Sequence, residues 1–420
     1  MTMHDEAWEQ AAEEQIRAHR MGTLTVTLRD ADHRVMPGLR VRLRQTESAF
    51  SWGTAVRAQY CADETAEPQY LRHLEEQFNC AVLDNDHKWP IWERAERRVY
   101  AEAAVAWLRA RGKRLRGHTM LWQTKQFGLP MPGDVWAEVL KAEAGESADL
   151  AHVRARIAAH IAAAGAHSRG KVMAWDVTNE ITEHHHALLA LTPEQNPHTS
   201  SEIAEWYRLA RQADPEAALF VNDYHILVGD FEEHKRGYEA TIQSLLDAQA
   251  PLGGIGMQAH FHGADLQRSA AQIAATLDRF ARFGLPIWIT EFDTFGAWSD
   301  DQAEREAEQA AFMRRFMISC FAHPAVAGFM LWGFWDGSHW AKNGPLFRHD
   351  WSSKPGYEVW QELVFKRWRS EAELETDANG SASLRGFKGD YVLECEHDGT
   401  SWQLPVSLHG ELAEHTVRLG

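Results

Sequence analysis

From Ser51 onward the chain repeats one pattern: a short apolar run rich in β-forming residues, then a longer stretch of helical periodicity. The runs are Ser51–Val56, Asn79–Leu83, Leu115–Leu121, Val172–Thr178, Ala218–Asn222, Gly254–Ala259, Pro286–Thr290 and Val326–Trp332. The helical stretches include Trp92–Arg111, Ala151–His167, Phe231–Ala250 and Asp301–Ala322. A strand followed by a helix and then another strand makes parallel neighbours, because only a long crossover returns the chain to the same edge. Eight such units predict a closed (β/α)8 barrel, an α/β fold, rather than an open doubly wound sheet. No GxGxxG follows the first run, which argues against a dinucleotide-binding fold.

The flanks read differently. Residues 5–20 predict a charged amphipathic helix. Leu24–Leu28 and Leu39–Arg44 alternate strictly around a turn at Asp30–Arg34, which predicts half-buried strands paired as a hairpin. From Glu371 the chain returns to short alternating runs, with turn signals at Ala378–Gly380, Lys388–Asp390 and Asp398–Gly399. The economical reading is one small β-sandwich split by the barrel; the alternative is two unrelated decorations. The expected division is a helix over 1–21, a split sandwich over 22–48 and 372–420, and a catalytic barrel over 49–371.

Composition narrows the partners. The net charge of −17 argues against nucleic acid or an anionic membrane and leaves a neutral polymer or oligomer as an easy substrate. The 18 Trp are either core or flat platforms for sugars or other ring-shaped ligands. Cys61, Cys80, Cys320 and Cys395 form no CxxC, so neither a zinc knuckle nor a redox motif is expected. The acidic N-terminus has no apolar h-region and no run approaches a membrane span, so the chain as it stands reads as cytoplasmic, or as secreted if a leader has been removed.

In barrels of this type the chemistry sits at the C-terminal ends of the strands. Every run after the first ends in polar, titratable or aromatic residues: Asp84-Asn85-Asp86-His87-Lys88, His118 and Trp122, Asn179-Glu180, Asn222-Asp223-Tyr224-His225, Gln258 and His260, Glu291 and Asp293, then Trp332 through Trp340. Glu180 and Glu291 each directly end an apolar run, on strands that face each other across an eight-stranded mouth. Glycosidic cleavage needs such a pair, one carboxylic acid to protonate the leaving oxygen and one carboxylate to attack the anomeric carbon or activate water. Asp293 and His260 form a pair able to orient Glu291 and keep it ionised, while the acid needs a raised pKa. The run Glu183-His184-His185-His186 lacks the i, i+4 spacing of a helical metal motif and is expected to be a solvated loop rimming the aglycone side. Arg94, Arg97 and Arg98 are expected to form a solvated helix face.

These motifs resemble glycoside hydrolase family 10, the endo-β-1,4-xylanase family, over the whole barrel. WDVTNE is similar to its acid/base motif and ITEFD to its nucleophile motif. The resemblance therefore implies Glu180 as acid/base, Glu291 as nucleophile, a retaining mechanism and no metal or other cofactor. It further implies that Asn179 contacts the 2-hydroxyl in the −1 subsite, that Gln258 and His260 (GIGMQAH) contact the sugar and the nucleophile, and that His118 and Trp122 (RGHTMLW) lie at −1. Asn85 and Lys88 (DNDHKW) are implied at −1 and −2, Trp332 and Trp340 as walls of the −1 site, and Tyr224 as a further sugar contact. The flanking β segments are similar to the ends of plant-type members and of some bacterial ones.

Some positions depart from the family's common residues: Asp84 stands where Glu is usual, Gln123 for His, Lys125 for Gln, His225 for Asn and His339 for Ser. Most of these fall around the −2 sugar, so they bear on substrate and not on reaction class. The sequence thus predicts a β-1,4-xylan or xylo-oligosaccharide hydrolase. The alternatives are the same chemistry on another β-glycoside or decorated oligosaccharide, and a silent glycan-binding protein. The sandwich offers Trp402 alone as a sugar platform and is expected to be structural.

Overall fold

A computed structural model describes residues 3–124, 131–296 and 298–419; Lys125 lies outside the described residues. By internal contact the chain divides into two compact units. One comprises Trp52–Phe312 and Ala325–Gly356, the other Met1–Ser51, Met313–Pro324 and Tyr357–Gly420.

The larger unit is the (β/α)8 barrel. Its strands, counted first to eighth, are Ser51–Val56, Cys80–Leu83, Arg114–Trp122, Ala174–Asn179, Ala218–Asp223, Gly254–Met257, Ile287–Phe295 and Val326–Leu331. Each pairs with the next, and the eighth returns to the first, so no edge is left open. Most positions along these strands are buried on both faces, which is why they read as continuous apolar runs rather than alternating ones. Ala55, Cys80, Val82, Ala174, Phe220, Trp288 and Met330 form one apolar cluster contributed by several strands. A charged pair is buried within the barrel. Arg116 and Asp176 meet at 2.5 Å, and the Arg116 guanidinium lies 4.5 Å over the Phe220 ring and 4.7 Å over Trp288. Asp176 also holds His118 Nδ1 at 3.0 Å, so a line of polar contacts rises from the core to the mouth.

The seventh strand runs on past Thr290 to Phe295, further than the apolar run alone suggests. After the sixth strand, a short one at His260–His262 pairs with this extension and sets His260 in register with Asp293.

The smaller unit holds a three-stranded sheet, in the order Ser381–Phe387, Met21–Arg29, Leu412–Arg418, and a four-stranded sheet, Glu371–Glu375, Arg40–Ser48, Gly389–His397, Thr400–Leu408. Leu24, Val26 and Leu28 of the first sheet share a core with Val41, Leu43, Tyr391, Leu393 and Val406 of the second. The expected hairpin between the first two strands is not formed. Met21–Arg29 pairs with Ser381–Phe387 and Leu412–Arg418, whereas Arg40–Ser48 pairs with Glu371–Glu375 and Gly389–His397. Period-two alternation reports which face of a strand is buried and not which strand lies beside it. The turn itself stands where the sequence puts it, with Asp30 Oδ1 accepting from the Asp32 and Arg34 amides at 2.9 and 2.8 Å. The helix Met3–Arg20 belongs to this unit: Glu9 is paired with Arg314 and Arg367, and Arg20 donates to the carbonyls of Phe321 and His323.

Arg97 and Arg98 depart from the solvated face expected of them. Arg97 makes two contacts, of 2.9 and 2.7 Å, with the buried Asp86 carboxylate, and Arg98 lies over the Trp92 ring. Cys61, Cys80, Cys320 and Cys395 are all buried. Among the described residues no helix is long and apolar enough to cross a membrane.

Candidate active site

The strand ends surround a cavity of about 510 Å³ in the barrel mouth, lined by Arg57, Asp84, Asn85, Lys88, His118, Trp122, Asn179, Glu180, His184, Tyr224, His225, Gln258, His260, Glu291, Phe295, Trp332 and Trp340. Every residue that the sequence singled out for catalysis or sugar contact lines it, and Asp293 stands just behind.

Glu180 occupies the left-handed region, with φ of 54°. A non-glycine residue is held there only by its surroundings. Its amide donates to the Asn222 carbonyl at 2.8 Å, and its own carbonyl accepts from the His184 amide at 2.8 Å. The kink ends the fourth strand. The carboxylate is met by uncharged donors: Trp122 Nε1 at 2.7 Å on Oε2, with Gln258 Nε2 at 3.0 Å and Asn179 Nδ2 at 3.2 Å on Oε1. Burial raises its pKa above the ordinary glutamate value, and the negative field of Glu291 adds to this, while the Gln258 and Trp122 hydrogen bonds offset part of the rise.

Glu291 has the opposite setting. Asn222 Nδ2 donates to Oε1 at 2.8 Å, His260 Nε2 approaches Oε2 at 3.2 Å, and His118 Nδ1 stands 4.0 Å from Oε1. Burial alone would raise its pKa. The field of His118, the hydrogen bond and charge of His260, and the charge of Lys88 outweigh it, and the net shift is downward. His260 is itself fixed by Asp293, whose Oδ1 lies 2.7 Å from Nδ1. Burial works against a charged imidazole here, but the Asp293 and Glu291 carboxylates prevail and push His260 up to about 10. Asp293 in turn receives Trp340 Nε1 at 2.5 Å and faces His339 Nε2 at 3.4 Å. Against its own burial, the charged His260 holds its carboxyl well below the usual range.

A chain of side-chain hydrogen bonds joins the two carboxylates. From Glu180 it passes through Gln258 to Asn179 Oδ1, on to Asn222 Nδ2 at 2.8 Å, and so to Glu291. Thr290 Oγ1 donates to Asn222 Oδ1 at 2.7 Å, which fixes that amide's orientation. Asn222 carried no role in the sequence reading; its signal was its place at the end of the fifth strand. Lys88 Nζ donates to Asn85 Oδ1 at 3.1 Å and lies 4.8 Å over the Trp122 ring, and burial pulls its pKa below the ordinary lysine value. Asp84 is ion-paired at 2.7 Å with Arg57, a residue the sequence reading passed over. Trp332 packs edge-on to His118 and His260, and Trp340 edge-on to His260. Trp340 is 50% exposed, an indole face open to a ligand.

The expected solvated His loop needs correction. His184 is 6% exposed, its Nε2 lies 3.4 Å from Glu180 Oε2, and its ring stacks on Tyr224. The kink at Glu180 folds the following turn back over the carboxylate, which linear spacing does not reveal. Tyr224 donates to Glu183, and the Tyr224 and His225 rings lie 4.2 Å apart. Among the described residues no group of His, Cys, Asp and Glu side chains is arranged to hold a metal ion.

Comparisons with known proteins bear on the fold and the family. The chain is 25% identical over 392 residues to the anti-sigma-I factor RsgI6 of Acetivibrio thermocellus, covering 92% of this chain and 46% of that protein. It is 28% identical over 362 residues to endo-1,4-beta-xylanase 1 of Arabidopsis thaliana, covering 85% of this chain and 34% of that one. It therefore spans less than half the length of either relative. Among solved structures, xylanase 10B from Thermotoga petrophila RKU-1 in complex with xylobiose shares the fold, with a TM-score of 0.63 and 24% identity over 76% of this chain and 95% of that one. The model of Glycosyl hydrolase family 10 matches residues 43–363, and the chain belongs to that family.

Proposed function

We propose that this chain hydrolyses β-1,4-xylosidic bonds in xylan or xylo-oligosaccharides with retention of configuration, the chemistry of the endo-1,4-β-xylanase class. The observation that carries the reading is one cleft holding two strand-end carboxylates with opposite surroundings. Burial and the negative field of Glu291 favour protonated Glu180 against the pull of its uncharged donors, and cationic neighbours favour ionised Glu291.

Glu291 attacks the anomeric carbon while the glycosidic C–O bond breaks and Glu180 gives its proton to the departing oxygen. This leaves a glycosyl ester on Glu291. Glu180, now a carboxylate, takes a proton from the water that attacks the same carbon; the sugar is released, and both side chains return to their starting states. His260 and Asp293 orient Glu291. Asn85, Lys88, His118, Trp122, Asn179, Tyr224, Gln258, Trp332 and Trp340 supply the polar and flat aromatic contacts that a sugar chain needs. The substrate partner is a neutral oligosaccharide or polysaccharide.

The test is Glu291→Ala, assayed on an activated aryl β-xyloside. Turnover should fall to background while the thermal unfolding transition stays in place. Full activity in that variant would sink the mechanism.

A further inference from the structure

Glu291 is steadied by a His–Asp pair, and a second such pair ties down the turn that presents Glu180. Asp223 ends the fifth strand, which pairs with the fourth, and it is fully buried. Its Oδ2 accepts from both the amide and the hydroxyl of Thr182, at 3.1 and 2.7 Å. Its Oδ1 accepts from the Tyr224 amide and from His234 Nε2, each at 3.0 Å. His234 comes from the first turn of the helix Glu232–Asp247. Burial works against a charged imidazole there, but Asp223 outweighs it and moves the pKa of His234 upward, so the bond between them is charge-assisted.

Thr182 stands two residues past Glu180. The φ of 54° at Glu180 turns the backbone out of the strand, and a non-glycine residue keeps that conformation only while its neighbours hold it. On one side of the turn the Glu180 amide donates to the Asn222 carbonyl; on the other, Thr182 is tied to Asp223. Asp223 also reaches the acid by a second route. Its carbonyl accepts from the Gln258 amide at 3.0 Å, and Gln258 Nε2 donates to Glu180 Oε1. Thr182 and His234 both act on Asp223, whereas Glu291 is held by Asn222 and His260.

We propose that Asp223, Thr182 and His234 are positioning residues for the acid/base: they fix the left-handed turn so that the Glu180 carboxyl group meets the glycosidic oxygen. The inference rests on the mechanism proposed above and adds what aims the acid. Its test exploits substrates that do without Glu180. A strongly acidic phenol departs without a proton, so forming the glycosyl ester from its glycoside needs Glu291 alone. Azide attacks the anomeric carbon of that ester and loses no proton; it displaces the Glu291 carboxylate and gives a β-glycosyl azide without a base.

The experiment compares kcat/KM of the full chain on xylohexaose and on a dinitrophenyl β-xylobioside. Thr182→Val, which keeps the side chain's shape without its hydroxyl, and His234→Leu should each lower kcat/KM on xylohexaose by about ten-fold or more, and on the dinitrophenyl glycoside by less than about two-fold. On the latter, kcat should fall and azide should restore it, with β-xylobiosyl azide as the product. His234→Gln keeps an N–H donor for Asp223 and should recover the wild-type ratio between the two substrates. Equal losses on both substrates, or none on either, overturn the clamp and leave the xylanase reading standing; where one variant does not fold, the other decides. Failure of the wild-type protein to cut any β-xyloside overturns the substrate reading and the clamp with it.

Discussion

Burial and the negative field of Glu291 raise the pKa of Glu180, whereas His118, His260 and Lys88 outweigh burial and lower that of Glu291. One side chain type is thereby given two protonation states at one pH. Catalysis as proposed needs Glu291 ionised and Glu180 protonated, which fixes the signs of the pH profile. Activity rises as Glu291 loses its proton, in a limb displaced below the ordinary glutamate value. It falls as Glu180 loses its own, in a limb displaced above that value. Glu180→Gln should abolish the high-pH limb of kcat/KM on a xylo-oligosaccharide and lower the rate by about 10²–10⁴-fold. A high-pH limb that persists in Glu180→Gln would remove Glu180 from the acid role. His260 gives a second reading of the same electrostatics. It carries its proton up to about pH 10 and bonds Glu291. His260→Asn deletes a cation beside a carboxylate, so the Glu291 pKa rises and the low-pH limb of kcat/KM moves to higher pH. An unmoved limb in that variant would mean that His118 and Lys88 suffice to hold Glu291 ionised.

The fifth and sixth strands set the geometry between these carboxylates through one glycine. A Cβ added at Gly256 would stand 2.3 Å from Asn222 Oδ1, the atom that accepts from Thr290. Gly256→Ala should therefore displace the amide that holds Glu291. An overpacked core costs about 1–3 kcal/mol, read by urea denaturation. A displacement near 1 Å in such a site costs about 100-fold in kcat/KM. Unchanged kinetics in Gly256→Ala would show that Asn222 does not position the nucleophile. The same elements explain what the sequence could and could not convey. Strands such as Ala174–Asn179 and Ala218–Asp223 are buried along nearly all their length and end abruptly in polar residues, so both their extent and their polar ends were legible. The partner of Met21–Arg29 was not, because its neighbours Ser381–Phe387 and Leu412–Arg418 lie hundreds of residues away. His184 was missed because a left-handed residue brings it back over Glu180. Arg57 was missed because it ends the first strand alone, and its partners Asp84 and Ser338 come from two other loops.

For the whole molecule, the charge of −17 and a cleft holding both cations and carboxylates pull on different substrates in different ways. A neutral xylan chain has no charge for the long-range field to act on. Its kcat/KM should change by less than about two-fold between low and physiological ionic strength, where the screening length shortens to about 8 Å. A xylan bearing uronic acid groups is repelled by the same field, so its association should quicken as salt rises. The comparison separates the surface from the site, because the partly buried His260–Asp293 and Arg57–Asp84 pairs are screened less than exposed charges and keep the cleft's chemistry constant across the series. The measurement is kcat/KM for linear and uronic-acid-substituted xylo-oligosaccharides of equal length at rising salt. Parallel salt responses for the two would show that the net charge has no part in selecting the substrate. A rise for the acidic one alone would place that selection in the field of the molecule as a whole, ahead of any contact in the cleft.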